Sequence, residues 1–291
     1  MHQYLRAVGF SQIESKKDLK EILNDMIVKS SQKDFLETDR NSILVEYSKF
    51  YSPSCGLTLR GELDDENNLT LDFYYPFVIS DNISTKEDVT FERHADKESF
   101  AAVCEDMRVG MTLIYYVQNG MYLMKHLSDE IFLKSDVSTS LSALSLGGTI
   151  MLPIKKDPKV LEKIRKASAD KQKRIIAAKK GDEEAIEQLT LEDIDTYSAV
   201  SKRILKDDIF TLVDSYFMPY GVECDHYSML GEIEDYRLET NNYTNENVYI
   251  LEINCNNLPI TVCINEKDLL GKPEKGRRFR GNVWLQGRIG V

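Results

Sequence analysis

No Walker A loop, no GxGxxG, no HExxH and no CxxC occurs in the 291 residues, and each absence removes a class of chemistry. The Gly271-Lys272 step runs into Pro273, so it lacks both the phosphate loop and the hydroxyl that would hold magnesium. Without HExxH or a CxxC pair there is no signature of a zinc site, and neither a metal nor a cofactor is expected. Histidine is scarce: His2, His94, His126 and His226 stand far apart in the chain. Trp284 is the single tryptophan. No apolar run approaches the roughly 18 residues that a membrane-crossing helix needs. The opening MHQYLRAVGF lacks the basic-then-apolar order of a secretory signal, so the expected location is cytoplasmic. The five cysteines, Cys55, Cys104, Cys224, Cys255 and Cys263, are odd in number and scattered, which fits reduced thiols better than a disulfide framework.

What is present is the composition of a globular chain, 42% hydrophobic and 29% charged, long enough to bury its own core. A net charge of −11 disfavours general affinity for polyphosphates, but that charge is uneven. Residues 155–180 hold eleven Lys or Arg against three Asp or Glu, a local +8 that leaves −19 on the rest.

Hydrophobic spacing gives the elements. Ser15 and Asp18 fit a capping box, and Leu19, Ile22, Leu23 and Met26 form one face of a following helix. Alternation over ILVEYSKFY, GLTLRGEL and LTLDFYYPFV predicts strands, the last two joined by the polar turn DDENN, which lacks the glycine and distal glutamate of a calcium loop. Phe100, Val103, Cys104 and Met107 recur at helical spacing and predict a helix over 96–107, before a central strand in MTLIYYVQ. The segment 121–133 fits either helix or strand, and SALSLGGTIMLPI reads as a strand pair or a bent strand around Gly147-Gly148. From Asp157 to about Pro219 the periodicity predicts helices. GEIEDYRLET, NVYILEINC, PITVCIN and RRFRGNVWLQG then read as four strands. The expected fold is α+β: an N-terminal mixed sheet with packed helices (1–154), a charged helical connector (155–225) and a C-terminal small antiparallel β-barrel or sheet (226–291).

The stretches CEDMRVGMTLIYYVQN (104–119), AAKKGDEEAIEQLTLEDIDTY (177–197), MPYGVECDHY (218–227) and GRRFRGNVWLQG (276–287) resemble an uncharacterised bacterial (Firmicutes, clostridial) family described only as a domain of unknown function. The resemblance covers most of the chain and fits a cytosolic protein of anaerobic Gram-positive bacteria. It implies no activity, ligand or site residue.

Two basic features are candidate binding sites. On the predicted basic helix, Lys163, Arg165, Lys166, Lys173 and Arg174 could track a phosphate backbone; the alternative is a solvated face, or one paired with the acidic helices that follow. In GRRFRGNVWLQG, strand alternation puts Phe279, Val283 and Leu285 on a core face and Arg278, Arg280, Asn282, Trp284 and Gln286 on the other. Trp284 could stack a base while the arginines hold phosphate. Within the same predicted barrel, however, residues 226–271 carry two basic and eight acidic side chains, and 272–291 carry six basic and one acidic. Pairing of this strand with Glu232, Glu234, Glu239 or Glu252 accounts for the arginines equally well. Cys224-Asp225-His226 places a thiol and an imidazole two residues apart, a spacing that seldom gives a nucleophile and base their geometry. These observations predict a non-enzymatic binding or regulatory module acting through protein partners. Nucleic-acid binding through the basic helix and the Arg278/Arg280/Trp284 strand is the first alternative, and an enzyme with a site assembled from distant residues is the second.

Overall fold

Period-two burial organises the computed structural model. It describes residues 1–13, 15–37, 42–66, 68–93, 99–106, 108–126, 133–134, 137–153 and 213–290, with isolated positions between 174 and 188. The chain divides into two compact units, Met1–Met151 with Ser215–Val291, and Leu152–Asp214. The helices expected over 157–212 lie almost entirely outside the described residues.

The first unit holds two sheets. The opening helix α1 (Lys16–Lys29) starts where its capping box places it, with the Ser15 hydroxyl accepting from the Asp18 amide at 3.1 Å, and it buries Ile22, Leu23 and Met26. Strands β1 (Gln32–Glu37), β2 (Ile43–Phe50), β3 (Cys55–Leu63) and β4 (Leu69–Val78) follow as a four-stranded antiparallel sheet in chain order. The DDENN turn between β3 and β4 is closed by the Asp64 carboxylate, which accepts from the amides of Glu66 and Asn68.

The second sheet takes β5 (Val89–Arg93), β6 (Phe100–Asp106) and β7 (Met111–Val117), then, after α2 (Gly120–His126), β8 (Leu133–Lys134) and β9 (Thr139–Met151). It is completed by β10 (Tyr216–Pro219), β11 (His226–Thr240), β12 (Asn247–Cys255), β13 (Leu258–Asn265), β14 (Leu269–Leu270) and β15 (Arg278–Ile289). Its order is β10-β11-β12-β13-β9-β15-β7-β6-β5-β8, with β14 beside β9. Because β15 also pairs with β11, the five strands β11, β12, β13, β9 and β15 close on themselves. A small barrel is therefore present, but the strands after residue 226 do not complete it. Both β13 and β15 would be left with an open edge, and β9 fills the gap, parallel to β13 and antiparallel to β15.

The α+β expectation with a helical connector is corrected by this architecture: the described residues are mostly strand. Within 96–107, expected as a helix, Phe100–Asp106 form β6 instead. Its Ala101, Ala102, Cys104 and Asp106 are buried, Phe100 and Val103 half-buried and Glu105 exposed, so apolar side chains are packed on both faces of the strand. A strand apolar on both faces can mimic helical spacing, and Asp106 hides its charge in a fork from Arg108, at 2.9 Å to Nε. Tyr216–Pro219, expected at the end of a helix, is strand β10. Of SALSLGGTIMLPI, the part to Met151 lies in one long strand, β9.

Two cores result. The first fills the barrel and its extension, with Ile233, Leu251, Ile253, Ile260, Val262, Ile264, Phe279, Val283 and Leu285 among its members. The second gathers Leu144, Val248, Ile250, Cys263 and Trp284 of the barrel, Ile22, Leu23 and Met26 of α1, and residues from both faces of the four-stranded sheet, Val45, Tyr47, Leu57 and Leu59 from one and Tyr75 and Phe77 from the other. Gly148 shows how tightly the barrel is filled: a Cβ there would lie 2.3 Å from the Phe279 ring. Gly148→Ala should accordingly destabilise by about 1–3 kcal/mol through overpacking. Chemical denaturation of Gly148→Ala alone and combined with Phe279→Leu checks it. Equal costs in both backgrounds would show that the ring is not the obstacle.

Candidate binding cleft

A cleft of about 630 Å³ opens where the four-stranded sheet meets the end of β7, α2 and the end of β15. Gln32, Lys33 and Asp34 reach it from β1, Glu46, Ser48 and Phe50 from β2, Thr58 from β3, and Tyr75 and Phe77 from β4. The opposite wall is Gln118, Asn119, Tyr122 and the β15 end at Arg288 and Ile289. Strand alternation explains the first wall. Val45 and Tyr47 point into the second core, so Glu46, Ser48 and Phe50 face the other way.

The back of the cleft is held by polar contacts. The Gln118 amide nitrogen donates to the Val78 carbonyl at 2.8 Å, to Ser142 Oγ at 3.0 Å and to Gln286 Oε1 at 2.8 Å. Gln286 in turn donates to the Pro76 carbonyl at 2.9 Å, and the Tyr75 hydroxyl to the Gln118 carbonyl at 2.8 Å. Asn119 exchanges two hydrogen bonds with the backbone of Ile289. These bonds tie the sheets together across the cleft, so its walls are preformed.

Glu46 lines the cleft and pairs with the buried Arg60. They are direct cross-strand partners, with the guanidinium Nε 3.0 Å from the carboxylate, and Arg60 is only 1% exposed. The Arg60 guanidinium also lies 5.4 Å from the centre of the Phe73 ring. Burial pushes the Glu46 carboxyl above its ordinary range, and Arg60 opposes that shift without reversing it. Burial likewise pushes the Tyr75 phenol up. Ser48 and Thr58 share a hydrogen bond of 2.8 Å beside the pair. At the rim Asp34 is paired by Lys125.

The sequence candidates lie elsewhere. As alternation predicts, Phe279, Val283 and Leu285 enter the barrel core. On the other face of β15, Arg278, Trp284 and Gln286 are buried and Arg280 and Asn282 are exposed. Trp284 is 6% exposed, its ring centre 4.9 Å from His2, 5.4 Å from Tyr4 and 5.4 Å from Tyr116. Its indole N–H donates to Asp225 at 2.7 Å, so the ring is enclosed and its polar edge is satisfied within the chain. Burial raises the Asp225 carboxyl, and the indole hydrogen bond and nearby His226 work against that. Arg278 is buried opposite Glu232, whereas Arg280 is exposed opposite Leu230. Of the acids expected to match this strand, Glu234 accepts from Asn254, Glu239 from Ser52, Ser54 and Arg237, and Glu252 from Arg237, Asn82 and Thr261. The charge match between the last segment and the strands before it appears as Lys275 on Asp235, at 3.0 Å.

Lys163, Arg165, Lys166 and Lys173 lie outside the described residues, and Arg174 is a half-buried helical position in the second unit. Cys224 is exposed and burial with the neighbouring Asp225 raises its thiol, which leaves it protonated at neutral pH. Among the described residues no group of three His, Cys, Asp or Glu is placed to hold a metal ion, and no helix is long and apolar enough to cross a membrane.

The cleft residues carry no motif. Glu46 inside an apolar strand was the one available signal, because an interior charge needs a partner, but only strand register identifies that partner as Arg60. The sequence model of the family described as "Domain of unknown function, E. rectale Gene description (DUF3881)" matches residues 5–287. No curated protein and no solved structure matches the chain.

Proposed function

The chain belongs to the DUF3881 family of unknown function, and from its own geometry we propose that it is a non-enzymatic binding module holding a small molecule in the cleft between its two sheets. The observation that carries this reading is the cleft itself. Its volume of about 630 Å³ falls in the range of small-ligand sites, roughly 300–1,000 Å³. It combines aromatic surface from Phe50, Phe77 and Tyr122 with polar groups from Glu46, Ser48 and Thr58, and cross-sheet hydrogen bonds hold its walls. Five free cysteines, four of them buried, support a cytoplasmic setting.

Gln32 is exposed on β1 at the mouth, so a larger side chain there narrows the cleft without disturbing a core. Gln32→Trp should leave the unliganded Tm unchanged and weaken, by about tenfold or more, any metabolite that raises the wild-type Tm in a thermal-shift screen. Ligands that stabilise wild type and Gln32→Trp equally would place binding outside the cleft.

A protein partner is supported by a separate surface. The hairpin between β10 and β11 presents Met218, Tyr220 and Val222 at 52%, 51% and 99% exposure. Apolar side chains grouped on one turn fit a contact with another protein. A photo-crosslinker at position 222 should then give a discrete adduct in cells that Tyr220→Asp abolishes, and a ladder of random adducts would dismiss the idea.

A further inference from the structure

Strand β1 ends its sheet, and its outer edge is open. The Phe35 amide donates to the Asp34 carboxylate at 3.1 Å, so it points away from β2, and antiparallel alternation then turns the main-chain groups of Lys33 and Glu37 outward as well. Beyond that one bond, the outer N–H and C=O groups of these three residues have no partner among the described residues. Their side chains are exposed on the face that carries Tyr47. The Lys33 ammonium lies 5.5 Å from the centre of the Tyr47 ring, and the Phe35 ring, 47% exposed, meets it edge to face at 6.3 Å. An edge of this kind is a template for another strand.

The charges on β1 select that strand. Among the described residues neither Lys33 nor Glu37 makes an ion pair, and Phe35 lies midway between them. If β1 pairs antiparallel with a second β1, centring on Phe35 uses all three outward residues and sets Lys33 opposite Glu37 of the partner subunit, twice over. Centring on Lys33 or on Glu37 would oppose like charges instead.

We propose that the chain forms a twofold dimer through β1, with Phe35 against its symmetry mate and a Lys33–Glu37 pair on either side, so that two four-stranded sheets become one continuous sheet. The dimer needs no ligand in the cleft. A twofold axis perpendicular to the sheet keeps each face on its own side, so both clefts open on the same face, and Leu36 of the partner subunit stands beside Asp34 at each mouth. Six residues on each strand make a small contact, and the dimer belongs to the weak, reversible class.

Sedimentation velocity on the full chain tests the proposal. Wild type should exchange between monomer and dimer with a Kd of about 1–100 μM. Lys33→Glu and Glu37→Lys should each weaken the dimer by about tenfold or more, because each opposes like charges at both ends of the pairing. The double variant Lys33→Glu/Glu37→Lys should recover wild-type affinity, and an equimolar mixture of the two single variants should dimerise more tightly than either does alone. Both positions are exposed, and an unchanged near-ultraviolet circular dichroism spectrum verifies that each variant is folded. Wild type that stays monomeric up to about 1 mM overturns the proposal. So does a dimer that both single substitutions leave intact, since it would use another surface such as the β10–β11 hairpin. Failure of both the double variant and the mixture to regain affinity overturns the register and the dimer with it.

Discussion

Arg60→Met should lower the free energy of unfolding by about 3–5 kcal/mol, the cost of leaving a buried carboxylate without its partner. The 1% exposure of Arg60 means that water cannot replace the guanidinium at Glu46. The same reasoning predicts that Glu46→Leu combined with Arg60→Met recovers most of the loss, since two apolar side chains of similar length need no compensation. Urea unfolding of the two single variants and the double variant measures the coupling directly, provided the slope with denaturant stays constant. A cost below about 1 kcal/mol for Arg60→Met would show that Glu46 is solvated through the cleft and that the pair is no more than a surface contact.

Glu239→Gln should cost about 2–4 kcal/mol near neutral pH and much less in acid. Glu239 lies on β11, and its carboxylate accepts from Ser52 Oγ at 2.6 Å, the Ser54 amide at 2.9 Å, Ser54 Oγ at 2.7 Å and Arg237 Nε at 3.0 Å. One side chain thus clips the β2–β3 turn of the four-stranded sheet onto the barrel. Burial by itself would raise this carboxyl, but the serine, amide and arginine donors outweigh it and hold Glu239 below its ordinary range. A carboxyl lowered in the folded state contributes stability that is fully present above its unfolded value, about 4.3, and is lost as pH falls through the folded one. The difference between wild type and Glu239→Gln should therefore be widest at pH 6–7 and close below about pH 4. Unfolding curves for both proteins across that range decide it. A gap that persists unchanged at pH 3 would mean that the amide disrupts packing and that the carboxylate's charge is not what matters.

The two effects share a cause with the functional proposal: each depends on which polar side chains meet once separate strands are brought together. ILVEYSKFY and GLTLRGEL are legible as strands, and so is the fact that Glu46 and Arg60 oppose the core-facing residues. Their partnership comes from antiparallel register, which the intervening turn and the packing of Val45 and Leu59 set together. Gln118 and Gln286 are farther from any sequence signal. They are 168 positions apart in the chain and bond at 2.8 Å behind the cleft.

GRRFRGNVWLQG makes the contrast in one segment. Its alternation was readable, and Phe279, Val283 and Leu285 enter the core accordingly. Nothing local to the strand says that a turn at residues 3–8 and a second sheet cover part of its other face, enclosing Trp284 against Tyr4 and giving its indole to Asp225. The helix expected over 96–107 failed for a related reason. Periodicity reports how many faces are apolar, and a strand with apolar side chains on both faces has no uniformly polar face to reveal its period.

By itself the sequence determined the capped opening helix, the strand runs, the excess of acidic charge and the absence of recognised catalytic signatures, because propensity, capping and composition act within a few residues. Tertiary structure decided the barrel's closure by β9, the enclosure of Trp284 and the cleft with its Glu46–Arg60 pair. Those depend on pairing between segments far apart in the chain. The free energy of such pairing lies in register and in the burial of shared faces, which no local stretch of sequence contains.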